Sequence, residues 1–213
     1  MSLEKLTEII NKSNNIVFFG GAGVSTESNI PDFRSNSGLY KAESKFKHPP
    51  EYMLSHTFFA NHTKEFYDYY RSNMIYKEAK PNNAHTALAE LEKQGKLKAV
   101  ITQNIDGLHQ IADSVNVLEL HGSIYRNNCM KCLKFFDLDY IINAPDVPYC
   151  DHCGGVVKPD VVLYEEGLDT DTVNKSLHYI SNSDVFIIGG TSLSVYPAAS
   201  LVDYYRGDKL ILI

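Results

Sequence analysis

The sequence predicts an α/β fold, a Rossmann-like, doubly wound parallel sheet with a helical insertion and a small inserted module. Three observations carry that expectation. Apolar runs of strand length at residues 16–19, 98–102, 117–120 and 184–192 alternate with stretches of helical periodicity, as parallel strands joined by crossover helices do. The first run passes straight into Gly20-Gly21-Ala22-Gly23-Val24-Ser25, a glycine-rich turn. Two Cys-x-x-Cys pairs, Cys129/Cys132 and Cys150/Cys153, interrupt the alternation with 17 residues between them, so the inserted module reads as a zinc ribbon.

At 213 residues the chain suits one core of ordinary size, or one core with a small appended module. A hydrophobic fraction of 44% against 22% charged supplies material for that core. The formal net charge of −6 argues against a nucleic-acid surface, which gathers Lys and Arg on one face. It suits a basic peptide as partner, though solubility alone accounts for it equally well. No apolar run approaches the ~20 residues that cross a bilayer, and the opening Met1-Ser2-Leu3-Glu4-Lys5 lacks the apolar core of a secretion signal. The expectation is a cytoplasmic monomer that binds neither nucleic acid nor membrane.

Taken in order, Leu3, Leu6, Ile9 and Ile10 recur at helical spacing over residues 3–13, and Ile16-Val17-Phe18-Phe19 follows as a strand. The glycine turn lets backbone N–H groups approach an anion at a helix start, which suits a phosphate. The match to Gly-x-Gly-x-x-Gly is incomplete because Thr26 holds the third glycine position, and an ordinary strand-to-helix turn stays open. Ile30-Pro31-Asp32-Phe33-Arg34-Ser35 reads as a loop, with an apolar lid in Phe33 and a cation in Arg34. Residues 50–78 are crowded with Phe58, Phe59, Phe66, Tyr67, Tyr69, Tyr70 and Met74; such stripes are helix packing before they are walls of an apolar channel. Pro81-Asn82-Asn83-Ala84-His85 opens an amphipathic helix through Leu88 and Leu91 to Gly95, where His85 reads as a structural hydrogen-bonding group rather than a ligand.

The strand Lys98 to Thr102 ends in Gln103-Asn104-Ile105-Asp106-Gly107, and the run Val117 to Leu120 ends in His121-Gly122. Ligands of open α/β sheets sit outside the carboxyl ends of the strands, so these two polar clusters can converge on one pocket. From the residues alone, His121 is as much a buried strand-end histidine as a catalytic one. In the insert, each Cys-x-x-Cys can give two thiolates to a tetrahedral Zn²⁺, and Gly154-Gly155 lets the chain bend around sulfur. Disulfides are the weaker alternative in a chain without a secretion signal, and His152 is set aside because four thiols already close the shell. A closed shell makes the metal structural. Beyond it, Pro159 to Tyr164 reads as a strand, 169–181 as a helix, 184–192 as a buried strand ending in a second glycine-hydroxyl turn, Pro197 to Tyr205 as a helix, and Lys209 to Ile213 as the start of another strand.

Several of these stretches recur together in one known family. Gly21-Ala22-Gly23-Val24-Ser25, Ile30-Pro31-Asp32-Phe33-Arg34, Thr102-Gln103-Asn104-Ile105-Asp106-Gly107-Leu108-His109, Leu120-His121-Gly122, the cysteine pairs, and Gly190-Thr191-Ser192-Leu193 with Val195 and Pro197 span residues 16–213. In this order they resemble the sirtuins of bacterial type, NAD-dependent protein-lysine deacylases. The resemblance implies a Rossmann-like NAD-binding domain at 1–34, 79–122 and 156–213, a helical and cofactor-loop insertion at 35–78, and a zinc-binding module at 123–155. It implies NAD as co-substrate, one structural Zn²⁺ on Cys129, Cys132, Cys150 and Cys153, and an acylated lysine peptide or protein as partner. The acyl oxygen attacks the ribose carbon as nicotinamide leaves, and a base then activates a ribose hydroxyl to collect the acyl group.

By the same resemblance, NAD is held by Gly21, Ala22, Gly23, Ser25, Asp32, Phe33, Arg34, Gln103, Asn104, Asp106, Gly190, Thr191 and Ser192. Phe33 shields the reacting sugar carbon, Gln103 holds the ribose, and Asn104 and Asp106 hold the nicotinamide amide and nearby water. His121 and Asn104 are the implied catalytic residues, with His121 as general base; an imidazole of unperturbed pKa ~6.5 suits that task. Val162, Leu163, Tyr164 and Val195 bind the substrate as an added strand.

The sequence departs from the family pattern in three places. Glu165 stands where the family usually has glycine, which bears on peptide docking or acyl preference. Members that remove dicarboxylic acyl groups use a Tyr-x-x-Arg pair, whereas here Tyr67 and Arg71 are one residue too far apart and Tyr70 holds the arginine position, which favours neutral acyl groups and deacetylation. The sequence stops inside Leu210-Ile211-Leu212-Ile213, where relatives continue with adenine-contacting residues, a strand and a helix; the expectation is a truncated chain or an impaired activity. Two rival functions use the same NAD site: a protein ADP-ribosyltransferase, and a non-catalytic NAD or ADP-ribose sensor.

Overall fold

The computed structural model describes residues 2–33, 38, 46 and 48–213. Helix α1 (Leu3–Lys12) begins at Ser2, whose hydroxyl accepts from the Lys5 N–H, and carries Glu4 in its first turn and Lys12 in its last, each opposite in sign to the helix end it occupies. Strand β1 (Ile16–Gly20) is buried throughout. The glycine turn then feeds a 3-10 helix (Ala22–Ser28), with no side-chain cap at its start. The helical insertion supplies α2 (Pro50–Met53), α3 (His56–Asn61) and α4 (Thr63–Asn73). Helix α5 (Asn83–Lys93) opens on a reciprocal cap: Asn82 accepts from Ala84 N–H while His85 Nδ1 accepts from Asn82 N–H at 3.2 Å, the structural role expected of His85.

Strand β2 (Leu97–Thr102), α6 (Leu108–Ile111), β3 (Val117–Glu119), β4 (Gly122–Cys129), β5 (Phe135–Phe136), α7 (Leu138–Asn143), β6 (Val157–Val161), α8 (Thr170–Asn182), β7 (Val185–Gly189) and β8 (Leu210–Leu212) complete the order, with a second 3-10 helix (Ala198–Tyr204) before β8. The stretch expected as a helix from Pro197 to Tyr205 is thus a tighter 3-10 coil.

The large sheet is wholly parallel, in the order β3-β2-β1-β7-β8, so the chain winds one way from β1 and the other way from β7. This is the predicted Rossmann-like sheet. Side chains alternate along β1. Ile16 and Phe18 meet Leu6, Ile9 and Ile10 of α1 and Leu88 of α5 on one face, while Val17 and Phe19 meet Ile180 of α8 and Leu201 on the other.

A second lobe is built on the antiparallel sheet β5-β4-β6. Its core joins Phe58, Phe59, Phe66, Tyr67 and Tyr70 of the helical insertion to Ile124, Ile141, Val157 and Val161 of the cysteine-bearing module. The aromatic stripes are therefore helix packing, and they unite two inserts that are 40 residues or more apart in the chain.

The strand expected at Pro159 to Tyr164 is corrected. β6 ends at Val161 and pairs with β4, so it belongs to the small sheet. Val162 and Tyr164 then find other partners: Val162 N–H donates to His121 O, and Tyr164 forms an isolated parallel bridge with Ser55. Ladder partners are exchanged at this point because the chain leaves one lobe for the other.

Candidate active site

Register places the site. Glu119, Thr102, Gly20 and Gly189 lie side by side at the carboxyl ends of β3, β2, β1 and β7. The residues that follow each strand therefore share one edge, beside the switch point between β1 and β7. They line a cleft whose opposite wall is the segment 161–166.

The glycine turn backs onto the turn after β7. Gly23 N–H donates to Gly190 O at 2.8 Å and Gly21 N–H to Gly189 O at 3.2 Å. Gly190 is left-handed (φ 60°), and a Cβ on it would lie 2.3 Å from Val24 N, so only glycine fits this approach. Across the edge, Gln103 Nε2 donates to Thr191 Oγ1 at 3.1 Å, tying the end of β2 to the end of β7. Ser25 Oγ donates to Asp106 Oδ2 at 2.7 Å and accepts from Asn104 Nδ2 at 3.0 Å, while Asp106 Oδ1 accepts from Leu108 N–H. Both Asp106 oxygens and the Asn104 amide are thereby fixed. The Asn104 Nδ2 bond turns its Oδ1 into the group left for a ligand.

His121 follows β3 and is partly buried. Its Nδ1 lies 3.0 Å from Gln103 O. A carbonyl only accepts, so Nδ1 carries the hydrogen and Nε2 keeps its lone pair. Burial pushes the His121 pKa below the ordinary histidine value, against the opposing pull of the Gln103 bond, so the ring is neutral at pH 7. The chain can place this ring only because of the next residue. Gly122 is left-handed (φ 78°), and a Cβ there would come 1.9 Å from Asp160 O.

The cleft is lined by Gly21, Ala22, Gly23, Ser25, Asp32, Phe33, Gln103, Asn104, Asp106, His121, Gly190, Thr191 and Ser192 on the sheet side. Val162, Leu163, Tyr164 and Val195 line it as well. Every residue singled out for ligand or substrate is thus brought together except Arg34, which lies outside the described residues. Leu54, Met74, Tyr76, Ile105, Leu168 and Tyr196 also line the cleft. None of these was singled out for the site, and their apolar character gave no sign of it; Met74 was legible only as part of a packing stripe.

The four cysteines come together at the tip of the small sheet, with all four sulfurs within 4.8 Å of one another. Cys129 and Cys153 sulfurs are 3.4 Å apart and those of Cys132 and Cys150 3.6 Å, too far for disulfides. Four sulfurs bound at about 2.3 Å to a tetrahedral zinc stand roughly 3.8 Å apart, so the cluster fits that ion. The Lys131 and Cys132 N–H groups point at Cys129 Sγ, as donors to a metal-bound thiolate do.

The Sir2 family model matches residues 21–197. A protein of Clostridium tetani (strain Massachusetts / E88) named NAD-dependent protein deacetylase is 66% identical over 211 residues, 99% of this chain and 85% of its own length. Among solved structures, a Sir2 chain with a deacetylated p53 peptide and 3'-O-acetyl ADP ribose is similar at a TM-score of 0.90 and 37% identity, covering all 100% of this chain and 86% of that one. A Sir2 chain with a p53 peptide and NAD+ is similar at a TM-score of 0.85 and 38% identity, with the same coverage of 100% and 86%.

Proposed function

The chain belongs to the Sir2 family, and from that premise we infer that it is an NAD-dependent protein deacetylase that releases nicotinamide and moves the acetyl group of a lysine to ADP-ribose. NAD supplies both the leaving nicotinamide and the sugar that collects the acetyl group. The observation that carries the residue assignment is the hydrogen bond of His121 Nδ1 to the Gln103 carbonyl, which leaves Nε2 of a neutral ring as a base on the cleft wall.

In this reading His121 takes the proton of a ribose hydroxyl, and Gln103, held by Thr191, orients that ribose. Asn104 Oδ1 and Asp106 orient the nicotinamide amide and nearby water, both braced by Ser25. The glycine cradle of Gly21, Ala22, Gly23 and Gly190, with Thr191 and Ser192, takes the phosphates and the adenine ribose, while Asp32 lines the NAD site and Phe33 shields the reacting sugar carbon. Val162, Leu163, Tyr164 and Val195 take the peptide. Cys129, Cys132, Cys150 and Cys153 would hold a zinc ion that ties the small lobe together, and four thiolates would leave that ion no open position for the reaction.

A neutral acetyl group is favoured because Tyr67 and Arg71 are engaged elsewhere. The Tyr67 hydroxyl donates to Val157 O, and the Arg71 guanidinium donates to Ile141 O and Asp146 O, inside the small lobe. A cytoplasmic setting and a monomeric state belong to the same proposal. Among the described residues no helix is long and apolar enough to cross a membrane.

The test follows from the order of events. His121 acts after nicotinamide has left, so His121→Ala should lower NAD-dependent deacetylation of an acetylated peptide by about 10²–10⁴-fold while exchange of labelled nicotinamide into NAD persists. Equal deacetylation rates for parent and variant would refute the assignment. Transfer of ADP-ribose to protein without loss of acetyl would favour the transferase reading.

A further inference from the structure

The cleft wall at 162–164 belongs to neither sheet, which raises the question of what keeps it in place. Beyond the Val162 bond to His121 O, Tyr164 bonds to the linker between α2 and α3 and to the first residue of α3. Tyr164 N–H donates to Leu54 O and Tyr164 O accepts from His56 N–H, both at 3.0 Å. At the next residue the chain turns sharply, with Glu165 at φ 77°, a left-handed conformation that a side chain disfavours.

Two carboxylates hold that turn. Glu165 Oε2 accepts from Thr57 N–H at 2.9 Å and from Thr57 Oγ1 at 2.7 Å. Glu166 folds back on the segment: its Oε2 accepts from Leu163 N–H at 2.9 Å and meets Lys158 Nζ at 3.1 Å, and its Oε1 lies 2.9 Å from His56 Nδ1. The Thr57 bonds hold the Glu165 carboxyl below the ordinary glutamate range, so it stays charged and keeps both bonds near neutral pH. Both carboxylates thus grip the first turn of α3, Glu165 at Thr57 and Glu166 at His56, just past the Ser55–Tyr164 bridge.

We propose that Glu165 is a positioning residue for the acylated peptide. By fastening itself to Thr57 it offsets the unfavourable backbone it occupies and keeps Val162, Leu163 and Tyr164 extended along the cleft before substrate arrives. A segment ordered in advance loses less entropy when a strand pairs with it, so the gain is in peptide affinity and not in the chemical step. This inference rests on the deacetylase reading above.

Three substitutions separate the two parts of the device. Glu165→Ala keeps a side chain in the left-handed turn and drops both bonds; Glu165→Gly drops both bonds and relieves the backbone; Glu165→Gln keeps a neutral acceptor. With acetylated peptide varied at saturating NAD, Ala is expected to raise the peptide KM roughly fivefold or more, Gly less than Ala, and Gln about twofold at most, with kcat and the KM for NAD within about twofold throughout. Backbone amide exchange at Thr57 and Tyr164, read by NMR, should quicken in Ala and Gly in parallel. An unchanged peptide KM in Ala, a loss confined to kcat, or unaltered exchange would overturn the proposal. The exchange measurement needs no turnover: a parent protein that does not deacetylate counts against the deacetylase reading, while faster exchange in Ala still supports the tether and unaltered exchange refutes it.

Discussion

His109 is 1% exposed, and neither ring nitrogen has a hydrogen-bond partner among the described residues. It faces His85 with ring centroids 4.7 Å apart, and Nε2 of His85 is equally unpaired. Burial first, and then the neighbouring His85, push the His109 pKa down to about 3, and burial likewise pushes His85 and His121 below the ordinary value. All three rings are therefore neutral in the fold, whereas in the unfolded chain they titrate near 6.5. Below that pH the unfolded chain takes up protons that the folded chain refuses. Stability is complete above pH ~6.5 and falls below it; His109 alone loses up to about 1.4 kcal/mol per pH unit down to about pH 3, and His85 and His121 add to the loss in the same direction. Carboxylates held low by their partners, such as Glu166, begin to contribute only near the ordinary glutamate value of 4.5. Urea midpoints should be level between pH 7 and 8 and decline between 6.5 and 5, and His109→Phe should flatten that decline. A midpoint indifferent to pH down to 5 would contradict the account. His109 lay inside a motif and was legible as a residue of interest, but its isolation from hydrogen-bond partners depends on packing against His85 and Phe18, which no local signal carries.

At the scale of elements, legibility followed the range of the determining contacts. Strands β1, β2 and β7 and helices α1, α5 and α8 are written in local periodicity and caps, and they stand where the sequence put them. The run from 159 to 164 looks uniform in sequence, yet it divides at Val161 because one half pairs with β4 and the other with Ser55, more than 100 residues earlier. The 3-10 coil after β1 was equally hidden, since it depends on the close approach of Gly23 to Gly190. The cysteine spacing named the small sheet's metal site but not its wider effect. Cys129 and Cys150 are buried in the same core as Phe66, Tyr67 and Tyr70, so a zinc ion held by the cysteines would support the aromatic helices as well. Structural zinc sites of this kind contribute about 10–16 kcal/mol at neutral pH, as much as a whole small domain retains. Chelation, or Cys150→Ser, should therefore abolish the near-ultraviolet dichroism of the tyrosines and unseat the α2–α3 linker that holds Tyr164, while the large sheet keeps much of its far-ultraviolet signal. Metal analysis should find one zinc per chain. A chelated protein with unaltered tyrosine dichroism would show that the lobe does not depend on the ion.

Across the whole molecule, the cleft exists because two lobes meet along it, and the sequence revealed both lobes but not their junction. Strand-end motifs disclosed which residues converge, since parallel register brings the ends of β3, β2, β1 and β7 level. The junction is made in part by an ion pair that no local pattern marks, although its partners are only seven residues apart. Arg126, on β4 of the small sheet, reaches Glu119 at the end of β3 with Nη1 to Oε2 at 2.6 Å, and Asp160 on β6 with Nε to Oδ2 at 2.7 Å. The Glu119 side chain is only 9% exposed, against 48% for Asp160, so the two pairs differ in kind. The Asp160 pair is screened by water and salt and is worth a few tenths of a kcal/mol. Removing Arg126 leaves the Glu119 carboxylate, among the described residues, with the Gln110 amide as its remaining side-chain partner, and an uncompensated, largely buried charge is the larger cost. Arg126→Ala should therefore destabilise by about 1–2 kcal/mol. High salt, where the screening length falls to about 3 Å, should recover only the smaller, Asp160 share. Combining Arg126→Ala with Glu119→Gln tests the cause: the double variant should be more stable than the sum of the two single losses by about 1 kcal/mol, because the stranded charge is gone. Strict additivity in urea unfolding would mean that Arg126 acts through packing of its stem alone, and that the lobes are held by the backbone crossings at Leu120–His121 and Val162 without an ionic clamp.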